Sequence, residues 1–188
     1  FYTLYMNFFS YDSSEVDWCE PNYIWSPYVA ELWNTLSSFV LLVQGFALYI
    51  HGAKDPQAYQ FGMWFIMIGI GSIIFHGILS TFGQFVDECS ISCLLWYTLS
   101  IMYKIKPIYI WGLILLACGM FFIYPSVNAF ALVFQGMTLT VLIFKRAKKK
   151  SLKLRCSGLL FVVALILWIM DRICFQKIIS LHAIWHIL

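Results

Sequence analysis

Long apolar runs broken by short polar stretches dominate the chain, and the runs have bilayer length. They lie at 28–50, 59–80, 84–103, 107–124, 125–145 and 157–175, each near the roughly 20 helical residues that cross a hydrocarbon core. A further run starts near Ile178, and the sequence stops at Leu188. Those last eleven residues reach about 16 Å at 1.5 Å per residue, roughly half of a core. The pattern predicts an all-α integral membrane protein, a seven-transmembrane helix bundle whose last helix is truncated in this chain. The breaks are short and no repeat or low-complexity linker interrupts them, so residues 28–188 are expected to form one transmembrane domain. The preceding 1–27 segment is acidic and aromatic, without the basic start and apolar middle of a signal peptide.

Composition excludes an ordinary soluble domain. Hydrophobic residues make up 62% of the chain, charged residues 11%, and the mean hydropathy is +0.81, against roughly 45–50% apolar in soluble proteins. Charge then orients the spans. With alternating helices, Lys54, Lys104, Lys106 and the seven basic residues of "KRAKKKSLKLR" share one side, opposite Arg172 and Lys177. The excess places the basic 145–155 loop in the cytosol and the N-terminus in a lumen or outside. That loop reads as a topology signal resting on acidic membrane lipids, and no nucleic acid is needed to explain it.

Orientation brings the costly residues to one depth. Ser72 and His76 end the second span in "GSIIFHGILS", Asp87 opens the third in "QFVDECS", and Glu31, Asn34 and Ser38 start the first. His182 and His186, in "LHAIWHIL", enter from the same side. Ionisable groups inside a membrane face the bundle interior and find partners there. Gly62 and Gly69 continue the Ser72–His76 face as a small-residue stripe that admits close helix packing. The "GIG" at 69–71 reads as packing rather than a phosphate loop.

The HxxxH spacing puts two imidazoles on one helical face. By itself it fits two packing residues as well as a metal grip. His76 supplies a third nitrogen, and three histidines with a fourth position open form the pattern of a catalytic zinc site. Asp87 is the acid placed to take a proton, and Ser72 is placed to donate to a developing oxyanion. The N-terminal "DSSEVDWCEPNY" collects Asp17, Glu20 and Asn22, with the Trp18 backbone, and Glu31 follows. This reads either as a solvated acidic stretch or as a set of hard oxygen donors suited to Ca²⁺.

Taken together, "DWCEPN", Glu31, "GSIIFH", "QFVDE" and "HAIWH" resemble the alkaline ceramidases, seven-span members of a hydrolase superfamily that also includes the adiponectin receptors. The resemblance covers nearly the whole chain. It implies a zinc ion on His76, His182 and His186, catalysis with Ser72 and Asp87, and calcium at Asp17, Trp18, Glu20, Asn22 and Glu31. It also implies a lumenal disulfide between Cys19 and Cys174, and residence in the endoplasmic reticulum or Golgi. The implied activity is calcium-stimulated, zinc-dependent hydrolysis of ceramide to a sphingoid base and a free fatty acid. The alternative is an adiponectin-receptor-like receptor with a zinc site and little or no hydrolysis. Seven residues separate Cys174 from His182, fewer than the resemblance leads one to expect.

Overall fold

A computed structural model describes residues 8–146, 152–175 and 180–188. The centre of the basic 145–155 loop and Lys177, on which the orientation rested, lie outside the described residues, as does the expected helix start near Ile178. Among the described residues there are seven helices and no strand. They are α1 (Leu32–His51), α2 (Pro56–Ile78), α3 (Thr81–Tyr103), α4 (Pro107–Ile123), α5 (Pro125–Arg146), α6 (Leu152–Arg172) and α7 (Leu181–Ile187).

The helix starts follow local chemistry. α2, α4 and α5 each open on proline, whose missing N–H is an orphan at a first turn anyway. Asp55 caps α2 by accepting from Gln57 N at 2.9 Å. Ser80 caps α3 through Gly83 N at 3.1 Å, and Ser180 caps α7 through Ala183 N at 3.1 Å. The first helix begins at Leu32, four residues after the expected start at 28, because Glu31 is still extended (φ −112°, ψ 91°). Glu20 then accepts from Trp33 N and Asn34 N at 2.7 and 2.9 Å, taking the N–H groups that an apolar entry would leave bare.

Polarity is inverted relative to a water-soluble bundle. Asn34, Ser38, Ser72, Gln84 and Glu88 are buried, while Leu36, Phe39, Val43, Phe46 and Ile50 form an exposed apolar stripe down α1. Such a surface suits lipid. By length and composition α1, α2, α3 and Val127–Lys145 of α5 can each cross a membrane, and α4 is a shorter apolar helix. This is an all-α membrane protein.

One end of the bundle is built around the C-terminus of α2. A helix leaves its last four carbonyls unpaired, and here the N-terminal segment takes four in a row. Glu31 N, Ala30 N, Asp12 N and Ser14 N donate to the carbonyls of His76, Gly77, Ile78 and Leu79 at 2.8–3.0 Å. Val16, Trp18, Ala30, Phe75, Leu79, Ala129 and Trp168 fill the space beneath. The Cys19–Cys174 disulfide ties this segment to the chain just beyond α6, with Cα atoms 5.3 Å apart. α2 and α3 cross at two glycines. A Cβ on Gly71 would lie 2.5 Å from Asp87 N, and one on Gly83 would lie 2.5 Å from Phe75 N, so the approach needs a residue without a side chain. The "GIG" segment is thus a packing surface, Gly69 meeting Leu42 of α1 and Gly71 meeting α3.

Candidate metal centre

Two helices deliver the three histidines. His76 comes from the last turn of α2, and His182 and His186 from successive turns of α7. One nitrogen from each lies within 4.8 Å of the others, and the ring centroids are 4.6–5.2 Å apart. All three side chains are buried. Among the described residues this is the one group of three or more His, Cys, Asp or Glu side chains that converges so closely.

Packing alone does not explain the cluster. His76 Nε2 and His182 Nδ1 are buried with no hydrogen-bond partner, and an unsatisfied buried polar atom costs about 1–3 kcal/mol. The opposite edges of two rings are held. His76 Nδ1 pairs with Glu31 Oε2, which leaves Nε2 as the free lone pair. Ser37 Oγ lies 2.8 Å from His186 Nδ1 and 3.0 Å from the Asn34 carbonyl. With the single hydroxyl proton on that carbonyl, Ser37 accepts Nδ1–H and His186 Nε2 faces the cluster. A ligating histidine held by a second hydrogen bond at its other nitrogen is the common arrangement around metals. The site fits a metal that takes imidazole nitrogen.

Of the other residues expected from the sequence, Ser72 lies beside the histidines and Asp87 lies across from Gly71 on α3. Ser72 is fully buried, 2.9 Å from Ser38 Oγ and 3.4 Å from His186 Nε2. Asp87 is brought to α2 by the Gly71 contact, buried, with its Oδ1 lacking a hydrogen-bond partner. It is outside the converging nitrogen group.

The acids of the N-terminal segment are only partly gathered. Asn22 Nδ2 donates to both Asp17 carboxylate oxygens at 3.2 Å, and Asn22 Oδ1 is buried without a partner. Glu31 lies near enough to Asp17 for the two carboxylates to interact. Trp18 N donates to Glu31 Oε1 at 3.1 Å, while the Trp18 ring stacks on His182 at 3.8 Å. Glu20 is committed to the start of α1; burial pushes its carboxyl up, partly offset by the two backbone donors. Asp17, Glu20 and Glu31 therefore do not close into one group as the histidines do.

Sequence reasoning missed Ser37, the pairing of Glu31 with a histidine, and Asp171. The last of these is fully buried and accepts from Cys19 N (3.3 Å), Leu181 N (3.0 Å) and His182 N (3.3 Å). A lone carboxylate ending the apolar run "LILWIMD" was the available signal. A further buried acid, Glu88, is held between Gln84 Nε2 (2.9 Å) and Asn128 Nδ2 (2.6 Å) and joins α3 to α5.

An apolar cavity of about 340 Å³ runs from this end into the bundle. His186, Trp185 and Trp168 line it near the cluster, and Leu41, Phe65, Leu95 and Phe161 line it further in. The volume is within the range of small-molecule sites, about 300–1,000 Å³.

A family model described as Ceramidase matches residues 10–188. Alkaline ceramidase 1 of Homo sapiens is 33% identical over 210 residues, covering 96% of this chain and 79% of its own length. Its Mus musculus counterpart is 32% identical over the same span. The alkaline ceramidase of Drosophila melanogaster is 30% identical over 208 residues, 93% of this chain and 72% of its own. These alignments are longer than the chain's 188 residues, so the relatives carry insertions relative to it. The matches run through the N-terminal segment, the glycine crossing and the histidine-bearing helices alike, and the chain belongs to the ceramidase family.

Proposed function

We propose that this chain hydrolyses the amide of ceramide to a sphingoid base and a fatty acid, with Zn²⁺ held by His76, His182 and His186. The observation that carries the reading is the junction of two features at His186, which belongs to the converging nitrogen triad and also lines the apolar cavity. A lipid acyl chain in that cavity would bring its polar head to the histidines. A zinc ion bound there supplies Lewis-acid polarisation of a carbonyl and acidification of a water.

The chain's own residues do the rest. Asp87, with its unpartnered Oδ1, receives the proton of the attacking water and returns it to the departing amine, as a general base and then acid. Ser72 donates its hydroxyl to the carbonyl oxygen as charge develops there. Glu31 and Ser37 keep the free lone pairs of His76 and His186 aimed at the metal position. The apolar walls exclude bulk water from the amide and hold the acyl chain.

The same proposal assigns Ca²⁺ to Asp17, Asn22, Glu20, Glu31 and the Trp18 backbone, supported by the buried, partnerless Asn22 Oδ1 and the proximity of Asp17 to Glu31. It also takes residues 1–27 as a lumenal segment carrying that ion and 28–188 as the membrane domain, in the endoplasmic reticulum or Golgi. Release of fatty acid from ceramide by the purified protein, abolished by a zinc chelator and restored by Zn²⁺, is the expected result. No release by zinc-replete protein would sink the reading, and so would release that survives complete removal of the metal.

A further inference from the structure

Of the three histidines, His182 is held differently. A side chain fixes one ring nitrogen of His76 and one of His186. Among the described residues no side chain hydrogen-bonds the His182 ring, whose Nδ1 is unpartnered. The ring is instead stacked against Trp18 at 3.8 Å and Trp185 at 5.3 Å. Its direction therefore depends on where its own backbone sits and where Trp18 sits.

One carboxylate fixes both. Asp171 Oδ1 accepts from the N–H groups of Leu181 and His182, the first two residues of α7. Its Oδ2 accepts from Cys19 N, the residue after Trp18. The Cys19–Cys174 disulfide clamps the same place from the other side. A fully buried carboxylate is costly to keep in an apolar surround. Here its partners among the described residues are backbone donors that flank a single ring. Neither Asp171 nor His182 lines the apolar cavity.

We propose that Asp171 is the positioning residue for His182, locking the start of α7 and the Trp18 wall together so that the third imidazole meets the other two. This rests on the metal-centre reading. Asp171→Asn keeps the shape but gives Nδ2 in place of one oxygen, so a donor faces a donor on one arm.

The test uses purified full-length chain in detergent. Zn²⁺ affinity is measured by competition with a chelator, and ceramide kinetics are measured at limiting and at excess Zn²⁺. The expected result for Asp171→Asn is a 10- to 100-fold loss of Zn²⁺ affinity, as for outer partners of metal ligands. KM should be unchanged, and kcat should be low at limiting Zn²⁺ and recover in excess. An Asp171→Asn protein with parental Zn²⁺ affinity and kcat but a lower melting temperature overturns the inference, leaving Asp171 a structural staple. If that variant fails to fold, Leu181→Pro takes its place. Proline suits the first helical position, Ser180 before it is already extended (φ −66°, ψ 102°), and the change deletes one Asp171 donor. Weakened Zn²⁺ binding in Leu181→Pro supports the inference, and parental binding overturns it. A parent that binds no Zn²⁺ defeats the metal-centre reading itself, an outcome distinct from variants that bind as the parent does.

Discussion

Glu31 and Ser37 show how much of a candidate metal site is decided one hydrogen bond away from it. Each engages the Nδ1 of a histidine whose Nε2 is turned to the cluster. Ser37→Ala or Glu31→Gln is expected to weaken Zn²⁺ binding about 10- to 100-fold, measured by chelator competition, with the helices intact by circular dichroism. Asp87 should behave oppositely. Asp87→Asn is expected to keep its zinc and lose about 10² to 10⁴ in ceramide turnover, because it lies outside the nitrogen group. Loss of metal along with activity would make Asp87 a ligand or an outer partner of one. The convergence of the three histidines was legible because ionisable residues in apolar runs are few and alternating spans stack them at one depth, and Ser72 stands one turn before His76. Ser37 was not, since a serine in a membrane helix reads equally as an interhelical hydrogen bonder. Asp171 was hidden by its neighbour Arg172, which makes the end of that run look like an ordinary polar boundary.

At the scale of elements, the apolar runs gave the helices to within a few residues, and the departures have local causes. α1 starts late because Glu31 is held extended by the His76 carbonyl while Glu20 caps the turn that follows. No hydropathy pattern carries that information, since it depends on Glu20, eleven residues before Glu31, and on the end of another helix. Docking of the N-terminal segment predicts a pH effect. Tyr23 donates to Asp12 at 2.8 Å, and burial, reinforced by the Asp12 bond, pushes the phenol up to about 12. A phenol whose pKa is raised by folding stabilises the fold below its ordinary value near 10, and that contribution is lost as pH rises toward 12. Melting temperature should therefore fall over that window, and Tyr23→Phe should flatten the fall; an unchanged slope would detach Tyr23 from the segment's docking. The Cys19–Cys174 bond closes a separation of 155 residues, so Cys174→Ser should cost about 2–5 kcal/mol, read as a drop in melting temperature under non-reducing conditions.

For the whole molecule, the division is between a lipid-facing apolar shell and an interior in which many of the buried polar groups gather at one end. The N-terminal segment, the close of α2, the start of α3 and α7 meet there, and the apolar cavity opens from the same place into the core. The long helices among the described residues were readable because bilayer thickness fixes span length. The cavity was not, because it depends on which side chains from six helices, α1–α3 and α5–α7, fall short of one another. The proposed Ca²⁺ would join the N-terminal segment to the bundle, so adding it should raise the melting temperature, and Asn22→Ala should abolish the rise. The most direct measurement is zinc content and ceramide turnover on one purified sample, for the parent and for His76→Ala. The expected result is about one zinc per chain with release of fatty acid and sphingoid base in equal amounts, both lost in His76→Ala. Parental turnover in a His76→Ala sample freed of zinc would contradict it.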